Sequence, residues 1–557
     1  MSKIDLTQAL TAPDVVAIDF ETPTLEWWHE RAVTLGIYSP TFEGFISLQE
    51  YDDETLSSFF KDFCKNRSFI GHNIKFDFHY LERWVDIEPI EFSDTILLAQ
   101  LNKENESHRL EDLSIRYIGK DACIKKKRVD EYLWKTFRKK HGVSWEKVPI
   151  HLLGDRCIED AKNTYKLFKL FRSKVYNTDI YKLEKDLVKI LIRMEDKGIC
   201  IDKDYLEQLG KNLELEIKTY VDKYSDINLN STKQLSKWLF KDLKLPVSMY
   251  TAKGAPSTKT EALMLINADE TRDLINFRKI DKLNSSFVVN LIPKIDVNGR
   301  IHTDFKQVGT ETGRFSCSTP NLQQMPGKSP IIRKAFYGNN KLWSFDFSQM
   351  EAILYAVYNN ETSILKSLDE GKDVYQIMAA KIYKVDYDKV EKKMRDNTKT
   401  IFLGVMYGMG KDKFESKTKT SFSDIPRYFN KIPLQRKLNK QVQELGYVET
   451  MYGRRRHLLP NEAYKAINTI IQGSGADIIK QAMVKIDPIV KAKKQMLLTV
   501  HDELVFEDLS MEQAKEITNV MTGFNPRLKI SIGVSKNWWD CKNSVKSEEF
   551  FKCQEKN

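Results

Sequence analysis

The chain is expected to divide into an α/β amino-terminal domain, residues 1–175, and a larger α+β domain, residues 176–557. Strand-like and helix-like runs alternate between residues 14 and 100, as they do in an α/β unit. The boundary falls just before a helical run over residues 187–197, which stops at Gly198 and is followed by the strand-like Ile199-Cys200-Ile201. Beyond it, Lys-, Leu- and Glu-rich helical sequence gives way to short apolar strands that end on acids.

Taken in order, Val15-Val-Ala-Ile18 reads as a buried strand and Ala32-Val-Thr-Leu-Gly-Ile-Tyr38 as another, with a helix over residues 56–64 and a helical region continuing to about residue 175. Residues 200–290 have helical periodicity, broken by a polar loop over residues 250–259. Lys341-Leu-Trp-Ser-Phe345 reads as a buried strand ended by Asp346, and Ser348-Gln-Met-Glu351 as a capping box opening a helix. Met496-Leu-Leu-Thr-Val500 and Leu504-Val-Phe506 are two strands of a hairpin with His501-Asp502-Glu503 at its tip. The charged tail after about residue 543 adds a short helix or frays. No internal repeat or low-complexity segment appears.

A length of 557 residues predicts two to four domains, and 41% hydrophobic with 30% charged residues is ordinary for soluble globular protein. Eighty-eight basic residues against 78 acidic ones give a net charge of +10, a balance that favours polyanionic partners. The seven cysteines stand far apart, with neither a Cys-x-x-Cys pair nor Cys/His ligand spacing, so reduced thiols are expected and a zinc site or disulfide framework is not. With no apolar signal region and no run near the ~20 apolar residues of a membrane span, a cytoplasmic protein with no membrane association is expected.

The first chemical constellation is Asp19-Phe-Glu21, whose acids share one face because strand side chains alternate. Alone, this pattern fits a solvated strand end better than a metal site. Gly71-His-Asn-Ile-Lys-Phe-Asp77 adds a third carboxylate after a glycine turn, and Glu159-Asp160, read as the opening of a helix over residues 161–171, adds a fourth. In this order the three motifs resemble the 3′-5′ exonuclease of the DEDD superfamily. The resemblance implies an RNase H-like fold in which Asp19, Glu21, Asp77 and Asp160 hold two metals, one activating a water and one stabilising the leaving oxygen. One position departs from that family. Arg156 stands where a water-orienting tyrosine is usual, and Asp155 where a sister branch has histidine.

The second constellation joins Asp346 and Asp502 to a helix whose positions 395, 399, 403 and 407 form one slowly drifting stripe of Arg, Lys, Leu and Tyr. An ordinary amphipathic helix and a solvated hairpin tip would each explain part of this. Both acids nevertheless end strands, and Gly404 and Gly408 remove side chains where something bulky must approach, at about 1 kcal/mol each in helix stability. Two carboxylates able to hold a metal pair, facing a cationic helix, point to phosphoryl transfer.

These residues, with Thr312-Gly-Arg314-Phe-Ser, Pro320-Asn321-Leu-Gln323, Gly446-Tyr-Val-Glu-Thr450 and Gln472-Gly-Ser-Gly-Ala-Asp477, resemble family A DNA polymerases, the group of bacterial DNA polymerase I and many phage replicases. The likeness runs from about residue 10 to 540 and implies an α/β RNase H-like exonuclease followed by an α+β right-hand polymerase. Its thumb would span about 198–285, its fingers about 352–452, and its palm the remainder. By that resemblance Asp346 and Asp502 bind metals, with Glu503 beside them, and Arg395 and Lys399 contact the triphosphate, Lys399 also donating a proton to pyrophosphate. Glu351 excludes a ribose 2′ hydroxyl, Gln349 and Leu403 join the nucleotide-binding set, and Tyr407 stacks near the templating pair. Arg314, Asn321, Gln472 and His501 contact DNA, through minor-groove acceptors that every Watson-Crick pair shares.

The implied activity is template-directed DNA synthesis from deoxynucleoside triphosphates with 3′-5′ proofreading, which Arg156 in place of the tyrosine is expected to weaken. The implied cofactors are two Mg2+ ions in each site, with Mn2+ as a substitute. The implied partners are primer-template DNA, dNTPs, and a processivity factor or helicase. A monomeric phage replicase in the host cytoplasm is expected, since the chain starts directly on the exonuclease strand and lacks a 5′ nuclease. Tyr375 and Tyr464 fall where many relatives have histidine and arginine, and stay outside the site set. Lys125-Lys-Lys-Arg128 and Arg454-Arg-Arg456 read as solvated runs, the second near enough to the palm to touch template phosphates. A stand-alone exonuclease would share the amino-terminal motifs and a single-subunit RNA polymerase the palm acids. Lys399 with Asp346 and Asp502 opposes the first, and Glu351 with the attached exonuclease opposes the second.

Overall fold

The computed structural model describes residues 2–554 other than 25, 29, 139–144, 328–329 and 407–430. The amino-terminal sheet contains β1 (Val15–Glu21), β2 (Thr34–Ser39), β3 (Phe42–Ser47), β4 (Ser68–Gly71) and β5 (Glu91–Asp94), in the order β3-β2-β1-β4-β5. β1 pairs antiparallel with β2 and parallel with β4, so β1 is central and its even-numbered Val16, Ile18 and Phe20 are buried. The helix Ile150–Val175 crosses β1, β2 and β3 at close range. Two glycines permit that approach: a Cβ on Gly36 would lie 2.6 Å from the Cys157 backbone, and one on Gly154 would lie 2.4 Å from the Phe45 ring.

The helix Asp179–Lys197 carries two apolar faces. Tyr181, Val188 and Ile192 pack into the amino-terminal core, whereas Leu187, Ile190, Leu191 and Met194 pack into the carboxy-terminal one. Helical spacing separates the two sets, so one element is shared by both cores. It ends at Gly198 (φ 57), where a Cβ would approach the Ile301 carbonyl to 2.6 Å, and leads into β6 (Ile199–Ile201) as its sequence predicts.

A helical lobe follows, with helices Lys203–Lys223 and Asp269–Leu283 and its own small core of Leu229, Leu235, Leu239, Leu263, Ile266, Leu274 and Phe277. The remaining strands are β7 (Arg300–Ile301), β8 (Asp304–Lys306), β9 (Ser316–Ser318), β10 (Phe336–Ser348), β11 (Tyr447–Glu449), β12 (Arg455–His457), β13 (Met496–Val500), β14 (Glu503–Glu507), β15 (Lys529–Asn537) and β16 (Val545–Lys546). The principal sheet runs β13-β14-β10-β15-β16, with β6 and β7 joined at the far end of β10. The helix Ala466–Val490, buried along most of its length, packs against the helix Met350–Tyr358. The tail forms the helix Ser547–Gln554.

Several local expectations are corrected. β10 does not end at Asp346; it continues to Ser348, because β15 keeps pairing through Ser348↔Lys529. The capping box at 348–351 does not form. Gln349 is the N-cap, left-handed (φ 59) and without a side-chain cap bond, while the Ser348 hydroxyl lies 3.2 Å from that of Ser531. Asp160 does not open a helix but sits in the middle of Ile150–Val175, which starts just after Pro149. The Arg454 run is solvated only in part: Arg455 is exposed, whereas Arg454 is buried and ion-paired with Glu184 and Asp477. All seven cysteines are free thiols, six of them buried. No described helix is long and apolar enough to cross a membrane.

Candidate active sites

The amino-terminal site grows from β1. Period-two alternation puts Asp19 and Glu21 on one face, and the helix Ile150–Val175, held close by Gly36 and Gly154, lowers Asp160 onto them. One carboxylate oxygen from each of Asp19, Glu21 and Asp160 lies within 4.8 Å of the other two. Asp77, on the helix Ile74–Leu81, stands just behind this group, where its carboxylate accepts a hydrogen bond from the Phe20 amide at 3.0 Å. Sequence reasoning missed Asp94. It accepts hydrogen bonds from the amides of Asn73, Ile74 and Ile96 and so shapes the turn that delivers Asp77.

Crowding of acids sets the electrostatics here. Burial, then Asp160, Glu21 and Asp77, holds the Asp19 carboxyl well above its ordinary range. Burial pushes Glu21 up to about 7 against the pull of Arg156. Arg156 lies inside this group, its Nε 2.9 Å from Glu21 Oε1 and 3.5 Å from Asp160 Oδ2. The Cys157 thiol donates to the Asp19 carbonyl at 2.8 Å and helps fix the strand end.

The second site lies on the principal sheet. β10 and β14 pair antiparallel with Asp346 directly opposite Glu503, and the Phe347 amide donates to the Asp502 carbonyl at 3.2 Å. That register brings together acids far apart in sequence. β13 and β14 are joined by the two-residue loop His501-Asp502, and His501 takes the left-handed conformation (φ 57) that such tight hairpins require. Arg314, Asp346, Gln349, Glu351, Arg395, Lys399, Leu403, His501 and Asp502 all line one cleft of about 550 Å³. Tyr375 lines it as well, with the Arg395 and Lys399 cations 5.7 and 5.8 Å from its ring centre. The stripe is helical over Lys392–Met406, and Tyr407 lies outside the described residues.

Several cleft residues are already engaged. Arg314 donates to Glu351 at 2.5 Å. Asp373, missed by sequence reasoning, accepts from Gln349 Nε2 at 2.6 Å and from Arg395 at 2.8 Å, and it caps the helix Val374–Tyr383. Gln349 returns a bond from the Val374 amide at 2.9 Å. Glu503, on the same sheet face as Asp346 but outside the cleft lining, accepts from the Ser344 hydroxyl at 2.6 Å and the Trp538 indole at 3.1 Å, with the buried Arg333 at 3.8 Å. Asn321 accepts from the Cys317 thiol at 3.4 Å, away from that lining. Gln472 also stands apart, next to Gly473, where an added Cβ would strike Thr450 at 2.6 Å.

Asp346 faces the water of the cleft, yet the dense protein around it, then Glu503 and Asp502, push its carboxyl up to about 7; Lys399 and Arg333 act in the other direction. Burial raises Asp502 to about 6, partly offset by Arg314. Carboxylates that line one cleft and are held above their usual range suit hard divalent cations.

Such a pairing of an RNase H-like acidic site with a carboxylate and cation cleft is matched by known families. The model for DNA polymerase family A matches residues 202–540, and that for a 3′-5′ exonuclease matches residues 4–176. The chain belongs to DNA polymerase family A. It is 30% identical to DNA polymerase I of Borreliella burgdorferi over 96% of this chain and 63% of that protein. It is 34% identical to the thermostable DNA polymerase I of Thermus filiformis over 65% of this chain and 48% of that one. The chain thus spans about two thirds or less of the length of these relatives. Its fold resembles the POL domain of Pol1 from M. smegmatis, solved in complex with DNA primer-template and dNTP, with a TM-score of 0.80, 24% identity, and coverage of 96% of this chain and 98% of that one.

Proposed function

We propose that the chain copies a DNA template from deoxynucleoside triphosphates in the cleft of Asp346 and Asp502, and removes 3′-terminal nucleotides at Asp19, Glu21, Asp77 and Asp160. One observation carries the reading: a single cleft gathers Asp346 of β10 and Asp502 of the β13-β14 hairpin loop, far apart in sequence, with Arg395 and Lys399. Oxygen-only donors, crowded and raised in pKa, fit Mg2+, with Mn2+ as a substitute. Asp346 and Asp502 would hold a pair in one site, and Asp19, Glu21 and Asp160, with Asp77 behind them, a pair in the other. When bound, such ions lower the pKa of an attacking oxygen and neutralise charge on the leaving one.

The chain's own groups do the rest. Arg395 and Lys399 present two cations on one helical face to a triphosphate, and Lys399, exposed and without a carboxylate within ion-pair distance among the described residues, is placed to give a proton to the departing pyrophosphate. Asp373 aims Arg395, and Gln349 ties that helix end to the palm. Glu351, fixed by Arg314, closes the space beside the sugar. Tyr407 remains proposed for the templating pair. Arg314, Asn321, Gln472 and His501 remain proposed for the primer end, and Glu503 for support of Asp346 through its cross-strand register.

The domain limits at 175/176, with thumb 198–285 and fingers 352–452, belong to the same reading. So do a replicative, phage-type role, action as a monomer in the cytoplasm where template and dNTPs are, and a processivity factor or helicase as partner; these rest on the resemblance. Primer extension on a defined template with deoxynucleotides, ribonucleotides or no nucleotide tests the whole. Extension confined to deoxynucleotides, with shortening when none is supplied, is expected; shortening alone would leave only an exonuclease.

A further inference from the structure

The acidic site of the amino-terminal domain already contains a cation belonging to the chain. Arg156 reaches Glu21 at 2.9 Å and Asp160 at 3.5 Å, two of the three carboxylates in the 4.8 Å group. The Glu21 and Asp160 side chains are 6% and 11% exposed, and that of Arg156 only 18%. Arg156 precedes Asp160 by one turn on the same helix, so its reach is set by backbone that is itself clamped to the sheet. Its guanidinium also packs on the Trp145 ring, 4.8 Å from the centroid, which gives it a platform beside the acids. The neighbouring lysines are committed elsewhere: Lys125 pairs with Asp155 at 3.0 Å and Lys126 with Glu111 at 2.7 Å.

A guanidinium keeps its proton at any working pH, so it offsets the mutual repulsion of the acids permanently. The same charge opposes any divalent ion entering the group, because little water lies between them to screen it. We propose that Arg156 is a built-in counter-cation that closes the Asp19, Glu21 and Asp160 group in the absence of metal and sets the divalent-ion concentration at which that site loads. The proposal rests on reading this group as a metal site. It differs from a role in holding the scissile phosphate, because it acts without DNA and on metal affinity itself.

The test uses the full chain with Asp346→Asn and Asp502→Asn, so that the second acidic cleft contributes little binding. Mn2+ is titrated without DNA, and the free ion is read by electron paramagnetic resonance. Arg156→Gln is expected to bind Mn2+ at least tenfold more tightly than the parent, and Arg156→Lys, which keeps the charge, less than threefold more tightly. In EDTA, Arg156→Gln is expected to melt below the parent and to regain the difference when Mn2+ is added. Arg156→Tyr, whose ring can lie on Trp145, replaces the Gln variant if that one does not fold. Affinities within twofold for the neutral variants would overturn the counter-cation. Absence of any saturable Mn2+ binding that Asp19→Asn removes would instead overturn the metal-site reading on which it stands.

Discussion

Glu351 shows what a single residue adds to the sequence reading. Sequence offered it as a sugar gate or as part of a capping box; the structure removes the capping box and supplies an ion pair with Arg314. The two remaining roles separate by substitution. Glu351→Ala opens space beside the sugar and is expected to raise the ribonucleotide-to-deoxynucleotide efficiency ratio at least tenfold in single-nucleotide kinetics, whereas Glu351→Gln, which keeps the volume, changes it less than threefold. Equal effects would make the charge, not the bulk, the gate. Leu403 lines the same cleft and offers no hydroxyl to replace a missing 3′ oxygen. Dideoxynucleotides are therefore expected to be used at least tenfold less efficiently than deoxynucleotides, and Leu403→Tyr to narrow the gap. The acids themselves were legible because a strand's alternation exposes Asp-x-Glu and because Asp346 and Asp502 end apolar runs. Asp94 and Asp373 read locally as no more than helix N-caps and Arg333 leaves no pattern, since the partners that tie all three to the sites lie on other elements.

At the level of elements, the amino-terminal site depends on how closely one helix lies on one sheet. Gly154 faces the Phe45 ring, and a methyl there would meet it at 2.4 Å. Gly154→Ala is expected to cost about 1–3 kcal/mol in stability through overpacking and to move Asp160 away from Asp19 and Glu21. Exonuclease activity should fall at least tenfold while primer extension stays within twofold; parallel loss of both would mean the two sites do not depend on separate elements. The reading of Asp160 at a helix start failed because adjacent acids suggest an N-terminus, while Pro149 and a buried apolar stripe through Leu153, Cys157 and Ile158 place the start a decade earlier. The carboxy-terminal end of β10 was read two residues short for a related reason: charge at Asp346 looks like a strand end, and β14 stops pairing there, but β15 carries the strand on to Ser348.

Across the whole molecule, the helix Asp179–Lys197 joins the two cores and also carries buried charge between them. Glu184 accepts from Arg454 and from Lys480, the latter at 2.5 Å, and Arg454 donates to Asp477 at 2.8 Å. Arg454→Met would leave Asp477 without its ion-pair partner and Glu184 with Lys480 as its one cation, and is expected to destabilise by about 3–5 kcal/mol, read by denaturant melts. The shared helix was legible only as a helix, because its two apolar faces belong to different cores. The pH response follows from the raised groups. Glu21 is pushed up to about 7 and Glu82 to about 8, each chiefly by burial, and Asp502 to about 6. His79, although burial opposes it, is drawn up to about 9 by Asp196 and Glu195. For the acids, stability is full below their unfolded pKa near 4 and is lost as pH rises through 6 to 8; for His79 it is full below about 6.5 and lost through about 9. In EDTA the melting temperature is therefore expected to fall by several degrees between pH 6 and 9, and Mg2+ to reduce that fall. A rise over the same range would contradict the assignment of these groups. The central claim is that Asp346 and Asp502 together carry synthesis. Its most direct test is single-turnover primer extension with Asp346→Ala and Asp502→Ala, each checked for an unchanged fold and unchanged primer-template affinity. Loss of at least a thousandfold in the extension rate of both is the predicted result, and extension near the parent rate by either would contradict it.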